Sequence, residues 1–528
     1  MVHKGDPMSA LPRLVLSTGL LALLPMGVAV AAAPDCTALL GASLPGMEMK
    51  ITQARLVPAG PLQAAPGEPP PPPANLPAHC RVEGVIDART GFEGKPYGIG
   101  FALALPVEWN GRFLFQGGGG LNGSIRPPVG GVAAGDTPAL ARGFAVVSTD
   151  SGHQGAGFDG SFMADQEALL NFLYQSTDKV TQASKQLIAV HYGRRPDRSY
   201  FAGCSTGGRE AMIQTQRFPK AFDGVIAGAP AMRTNYSNLG VRWVATQLNT
   251  VAPAGPDGKR SPRQAMTPGQ RKRLIDRLLQ SCDALDGQRD GLVFDTKGCK
   301  FDPAAAVCKA GETGDCLSSA QADAVRRAFA GPRTASGRQV YPGYLYDTGT
   351  IVDGPGLPGL LVQPFAPEGD NPTGTTMDVD AAAARAHDAR SMAGDTDAWT
   401  NLSSFRGHGG KLLFFHGNSD PWFSALETVR YYEQLAVDNP GQPLQDWSRL
   451  YLAPGVAHCA GGPGLDRFDL LTPLVEWVEQ GKAPVGVPAT GTFLPGQSRP
   501  MCPYPAVPKY DGRGDPKSAV SYRCEAGA

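Results

Sequence analysis

The stretch that most limits how this chain can fold runs from Ser199 to Phe218. Ser199, Tyr200, Phe201, Ala202 and Gly203 form a short apolar run, Gly203-Cys204-Ser205-Thr206-Gly207 is a turn, and Glu210, Ala211, Met212 and Ile213 continue in helical period to Phe218. A strand that passes through one tight turn into a helix is half of a βαβ unit, and residues 222–228 read as the strand that follows. Upstream, residues 97–105, 112–116 and 143–149 are apolar or alternating, and 177–191 is helical in period. This order predicts a mostly parallel sheet covered by helices on both faces.

The pattern loses regularity between about Arg233 and Asn401 and resumes with a strongly apolar strand at 410–416. The expected architecture is therefore α/β: one core, in parts 80–232 and 401–528, interrupted by an inserted lid domain at 233–400. Residues 34–79 read as an N-terminal segment with a proline-rich linker, because 58–77 carries a run of prolines. Residues 1–33 read as an export signal: Lys4 and Arg13 precede an apolar run that ends in Ala29-Val30-Ala31. Ten cysteines, an even number behind such a signal, point to disulfides in an oxidising compartment, secreted or periplasmic. Formal net charge is zero, which leaves no electrostatic footprint for nucleic acid or an anionic membrane. No stretch after the signal is long and apolar enough to span a bilayer.

Gly203-Cys204-Ser205-Thr206-Gly207 matches G-x-S-x-G in strand–turn–helix context, the setting in which a serine hydroxyl is exposed at the carboxyl edge of an α/β-hydrolase sheet. Serine needs a base, and the base needs an acid to fix its tautomer; in this fold the chain order is serine, acid, histidine. Asp420 lies just past the apolar strand at 410–416, and His458 follows a strand and turn at 450–457. His416 and His153 compete for the base, but chain order and the strand-to-loop position favour His458. Cys204 directly precedes the serine and Cys459 directly follows the histidine, so one disulfide would clamp nucleophile and base together. Oxyanion donors are expected from the backbone of Thr206 and from the glycine run after Gln116, with Gly118 and Gly119 as candidates.

These motifs, with Ser148-Thr149-Asp150-Ser151-Gly152-His153 and Phe222-Asp223-Gly224-Val225-Ile226-Ala227-Gly228-Ala229-Pro230, resemble those of the tannase and feruloyl esterase family over roughly Cys80 to Cys524. The resemblance implies a serine esterase whose substrate is a small aromatic ester (feruloyl, galloyl or terephthaloyl). It also implies the pairs Cys36–Cys80, Cys204–Cys459, Cys282–Cys299, Cys308–Cys316 and Cys502–Cys524, and a structural calcium in the inserted domain. On composition alone the loop at 282–292 reads as a solvated acidic turn, and its spacing is not that of an EF-hand. The resemblance instead implies calcium ligands from Asp283, Asp286 and Asp290 and the carbonyls of Gln288 and Leu292. Trp399 and Trp422 are possible wall residues, equally well explained by ordinary packing. The rival readings are an acyltransferase, a serine peptidase and a non-catalytic secreted binding protein on the same fold.

Overall fold

The computed structural model describes residues 35–63, 73–351, 359–364 and 373–527, so the export signal expected at 1–33 lies outside the described residues. Nine strands form the central sheet: β1 (Met49–Val57), β2 (His79–Thr90), β3 (Pro96–Pro106), β4 (Arg112–Gln116), β5 (Ala145–Thr149), β6 (Arg198–Cys204), β7 (Gly224–Gly228), β8 (Lys411–Gly417) and β9 (Ser448–Ala453). Their spatial order is β1-β2-β3-β5-β4-β6-β7-β8-β9. The pairs among the first three strands and β3–β5 are antiparallel; β5, β4, β6, β7, β8 and β9 all run parallel. Parallel strands bring their carboxyl ends to one edge, and that edge is where such sheets bind ligands.

The sheet is buried on both faces, which explains why its inner strands are almost wholly apolar. Along β4, Phe113 and Phe115 enter one apolar cluster and Leu114 the other. Helices α1 (Ser176–Tyr192), α2 (Thr206–Arg217) and α7 (Ala425–Asp438) cover the Phe113 face through Leu187, Met212 and Leu435. Helix α8 (Leu471–Gln480) covers the other through Leu474 and Trp477. At about 2–5 kcal/mol for a buried leucine cut to alanine, each of these contacts is large against a domain's net stability.

Between β7 and β8 the chain builds a strand-poor layer with α3 (Thr234–Asn249), α4 (Pro268–Cys282), α5 (Ser319–Ala330) and α6 (Val379–Ala386). This segment has its own apolar cluster, which includes Val244, Leu278, Phe329 and Tyr341. Helices α4 and α5 each start with a capping box, Thr267 with Gln270 and Ser318 with Gln321.

The N-terminal boundary differs from the sequence expectation. A break at 80 would cut through β2, and β1 before it is the edge strand of the main sheet, fastened by Cys36–Cys80. The proline-rich stretch is closed at its base, where Gly60–Pro61 pairs with Asn75–Leu76. Residues 64–72 of the expected linker lie outside the described residues. The five disulfides of the structure are the five pairs that the resemblance implies. Among the described residues no helix is long and apolar enough to cross a membrane.

Candidate active site

Ser205 sits at the carboxyl end of β6 and caps α2, with φ 64 and ψ −124. A non-glycine residue held there costs about 1–3 kcal/mol, and the surroundings must hold it. Its N–H donates to Gly228 O at 3.0 Å, and its carbonyl accepts from Arg209 N at 3.0 Å and Ala231 N at 3.1 Å. The glycines of the motif are there for close approach. A Cβ on Gly207 would stand 2.7 Å from the Gly118 carbonyl oxygen, and one on Gly203 would collide with the Gly207 backbone.

Asp420 follows the carboxyl end of β8 and His458 that of β9. His458 Nδ1 bonds Asp420 Oδ2 at 2.7 Å. The other oxygen, Oδ1, accepts from Trp422 N at 2.9 Å and Phe423 N at 3.0 Å. Burial works against ionisation of Asp420, but the charge of His458 and the bonds from His416 and His458 hold its carboxyl well below the usual carboxylate range. Cys204 and Cys459 are joined, with Cα atoms 6.0 Å apart, so the serine and histidine turns share one covalent tie. The Ser205 hydroxyl and His458 are not hydrogen-bonded to each other; the sulfur of Cys459 lies 3.7 Å from His458 Nε2. Such bonds often tighten only when substrate is present.

Of the competing histidines, His416 also reaches the acid, its Nε2 3.4 Å from Asp420 Oδ2, but it is wholly buried. His416 Nε2 donates to Phe423 O at 2.9 Å, and its Nδ1 is hydrogen-bonded with Thr428 Oγ1 at 2.8 Å. His153 stacks on Phe162 with ring centroids 3.5 Å apart, and burial lowers its pKa to about 4.

The glycine loop corrects one expectation. Gly118 N–H already donates to Glu210 Oε2 at 2.8 Å, so it is not free for an oxyanion. Among the described residues, the N–H groups of Gly119 and Thr206 donate to no protein acceptor. Thr206 lines a cavity of about 520 Å³ together with Gly120, the residue after Gly119. Its core-side walls include Leu121, Phe172, Trp422 and Phe423; Arg385 and Asp395 come from the segment between β7 and β8. Trp422 is thus a wall residue, its indole N–H donating to Asn238 Oδ1 at 2.9 Å. Trp399 is not: it is 60% exposed, and its indole N–H donates to Asn401 O.

A family model described as "Tannase and feruloyl esterase" matches residues 80–356 and 370–525. The chain belongs to the tannase and feruloyl esterase family. It is 38% identical over 520 residues to the mono(2-hydroxyethyl) terephthalate hydrolase of Piscinibacter sakaiensis, covering 86% of each chain. It is 30% identical to the probable feruloyl esterase B of Aspergillus clavatus, covering 84% of this chain and 86% of that one. Among solved structures, feruloyl esterase B from Aspergillus oryzae superposes with a TM-score of 0.75 at 26% identity, covering 93% of this chain and 98% of that one. The tannin acyl hydrolase from Aspergillus niger shares the fold, with a TM-score of 0.69 at 22% identity. The chain is a carboxylic-ester hydrolase on an α/β-hydrolase fold.

In this family member the acidic loop is drawn inward. Asp283 Oδ1 accepts from Asp290 N and Gly291 N at 3.1 Å, and Asp286 Oδ1 accepts from Gln288 N at 3.0 Å. Asp286 Oδ2 is buried without a hydrogen-bond partner, and burial, with Asp290 and Asp283 nearby, pushes the carboxyl up to about 7. An orphaned oxygen among hard oxygen donors fits a calcium-type cation. Asp290 is the departure, because Arg499 pairs with its Oδ2 at 2.6 Å. Among the described residues no three acidic, histidine or cysteine groups already gather into one metal-ready cluster.

Two buried carboxylates escaped the sequence reading. Glu210 lies on α2 beneath the glycine loop. Asp347 Oδ2 accepts from Ser419 Oγ and Gly455 N, each at 2.6 Å, and so staples the loop of Asp420 to the loop of His458. Nothing local distinguishes either from a solvated acidic residue; only their long-range partners do.

Proposed function

We propose that this chain is an exported esterase that hydrolyses esters of aromatic carboxylic acids through an acyl-enzyme on Ser205. As the Ser205 hydroxyl attacks the ester carbonyl, His458 Nε2 takes its proton, and Asp420 stabilises the imidazolium through Nδ1. The carbonyl electrons move onto oxygen, which the N–H groups of Thr206 and Gly119 receive. Collapse breaks the ester C–O bond, and His458 returns the proton to the departing alcohol. Water then attacks the acyl carbon by the same route, freeing the acid and Ser205.

The observation that carries this reading is the 2.7 Å bond from His458 to Asp420, one residue from the disulfide that ties the histidine turn to Ser205. An aromatic acyl group is supported by the rings of Trp422, Phe423, Phe158 and Phe172 on the cavity wall and by the substrates in the relatives' names. Export is supported by the pattern at 1–33 and by ten cysteines all paired. The segment at 233–400 is read as a lid that closes the far side of the cavity. A calcium ion in the 282–292 loop, with carboxylates from Asp283, Asp286 and Asp290 and carbonyls from Gln288 and Leu292, would fix that loop's shape.

The test is product release from methyl gallate, methyl ferulate, mono(2-hydroxyethyl) terephthalate and p-nitrophenyl acetate, by the parent protein and by Ser205→Ala. We expect one aromatic ester to be preferred by kcat/KM, and Ser205→Ala to lower its kcat by about 10⁶-fold. Activity that survives in Ser205→Ala rejects the nucleophile. A preference for the acetyl ester over all three aromatic ones rejects the substrate class.

A further inference from the structure

The two oxyanion donors stand on separate segments: Thr206 opens α2, and Gly119 belongs to the loop after β4. Catalysis requires their N–H groups to converge on one point, and a misplacement of about 1 Å costs roughly 10²-fold. Something must therefore set the loop against the helix.

We infer that Glu210 is the residue that does so, a positioning residue for the oxyanion pocket. The inference rests on the reading of Ser205, Thr206 and Gly119 given above. Glu210 lies on the same helix as Thr206, and its side chain is buried. Oε2 accepts from Gly118 N at 2.8 Å, which grips the loop one peptide before the Gly119 donor. Oε1 accepts from Asn122 Nδ2 at 2.8 Å and Ser151 Oγ at 3.5 Å. Asn122 N–H in turn closes onto Gly119 O at 3.0 Å, and its carboxamide fills the space that a side chain on Gly118 would need. Asn122 and Ser151 both hold positive φ, 54 and 68, conformations that their neighbours must enforce.

The carboxylate is thus bonded to both ends of the turn that presents Gly119, and also to the loop after β5. A carboxylate suits this place because both oxygens accept. A glutamine has one acceptor oxygen, and its NH₂ would face the Asn122 or Gly118 donor. Burial raises the pKa of Glu210, while the bond from Gly118, the charge of Arg209 and the bonds from Asn122 and Ser151 oppose that shift, so these contacts favour the ionised form.

The experiment compares the parent, Glu210→Gln and Ser205→Ala on the best aromatic ester, with a thermal melt of each and the Ki of a trifluoromethyl ketone analogue that forms an oxyanion on Ser205. We expect Glu210→Gln to lower kcat by about 10–10²-fold, with KM within about twofold, an unchanged melt, and Ki weakened by the same factor as kcat/KM. A kcat within threefold of the parent overturns the inference. A parallel loss of kcat and melting temperature with Ki unchanged overturns it too, since that marks a purely structural role. Should Glu210→Gln fail to fold, Asn122→Ala decides: a fall in kcat of threefold or more at constant KM supports the inference, and parent-like kcat overturns it. Activity surviving in Ser205→Ala strikes the underlying reading instead, so the two failures are distinguishable.

Discussion

The core and the segment between β7 and β8, which both contribute walls to the cavity, hold their polar groups by different means. On the core side, Asp420 is 1% exposed and carries bonds from two backbone amides and from His458, with His416 Nε2 3.4 Å away. Ser205 is fixed by three backbone bonds and is next to a disulfide cysteine. On the opposite side, Arg385 ends the short helix α6, and Asp395 lies in a loop, its carboxyl pushed up to about 7 by burial beside Asp397. One wall is over-determined by many short-range bonds and strand ends; the other rests on a segment with its own separate apolar cluster. In the function proposed above, the chemistry belongs to the first wall and the choice of ester to the second, since preorganised groups cost no rearrangement in the transition state.

The first way to break this comparison is Asp420→Asn, which preserves shape but disrupts the tautomer of His458. We expect kcat to fall about 10⁴-fold for every ester tested, the aromatic and acetyl esters falling together. A loss confined to one ester would mean that the core wall also selects substrate. Next, replacing Cys204 and Cys459 together by serine should lower kcat by about 10–10²-fold through looser spacing of nucleophile and base, and lower stability by about 2–5 kcal/mol, read by denaturant melts and kinetics. Unchanged kcat would show that the strand ends alone set that spacing. The smallest effect belongs to the opposite wall. Arg385→Ala should change the kcat/KM ratio between the aromatic esters by about 3–10-fold, mainly through KM; a uniform loss in kcat would erase the distinction between the walls.

The same division marks what could be read from sequence. Strands β4, β6, β7 and β8 are buried on both faces, so their residues form unbroken apolar runs, and the serine, acid and histidine each follow one of these strands or β9. Strand β1 escaped notice because only Ile51 and Ala54 are buried along it, while Lys50, Gln53 and Arg55 face solvent. Between β7 and β8 the pattern was read as irregular, yet Thr267-Pro268 before Gln270 and Ser318 before Gln321 announce two helix starts. Choosing between Gly118 and Gly119 required the partner of each N–H. That partner, Glu210, lies 92 residues away from Gly118 in sequence.

The most direct test of the account is to find where the acyl group goes. An aromatic p-nitrophenyl ester, acid-quenched within the first turnover and followed by peptide mass spectrometry, should place a transient acyl group on Ser205, with p-nitrophenol released in a burst. Turnover of that ester with no adduct, or with the adduct on another residue, would contradict the account.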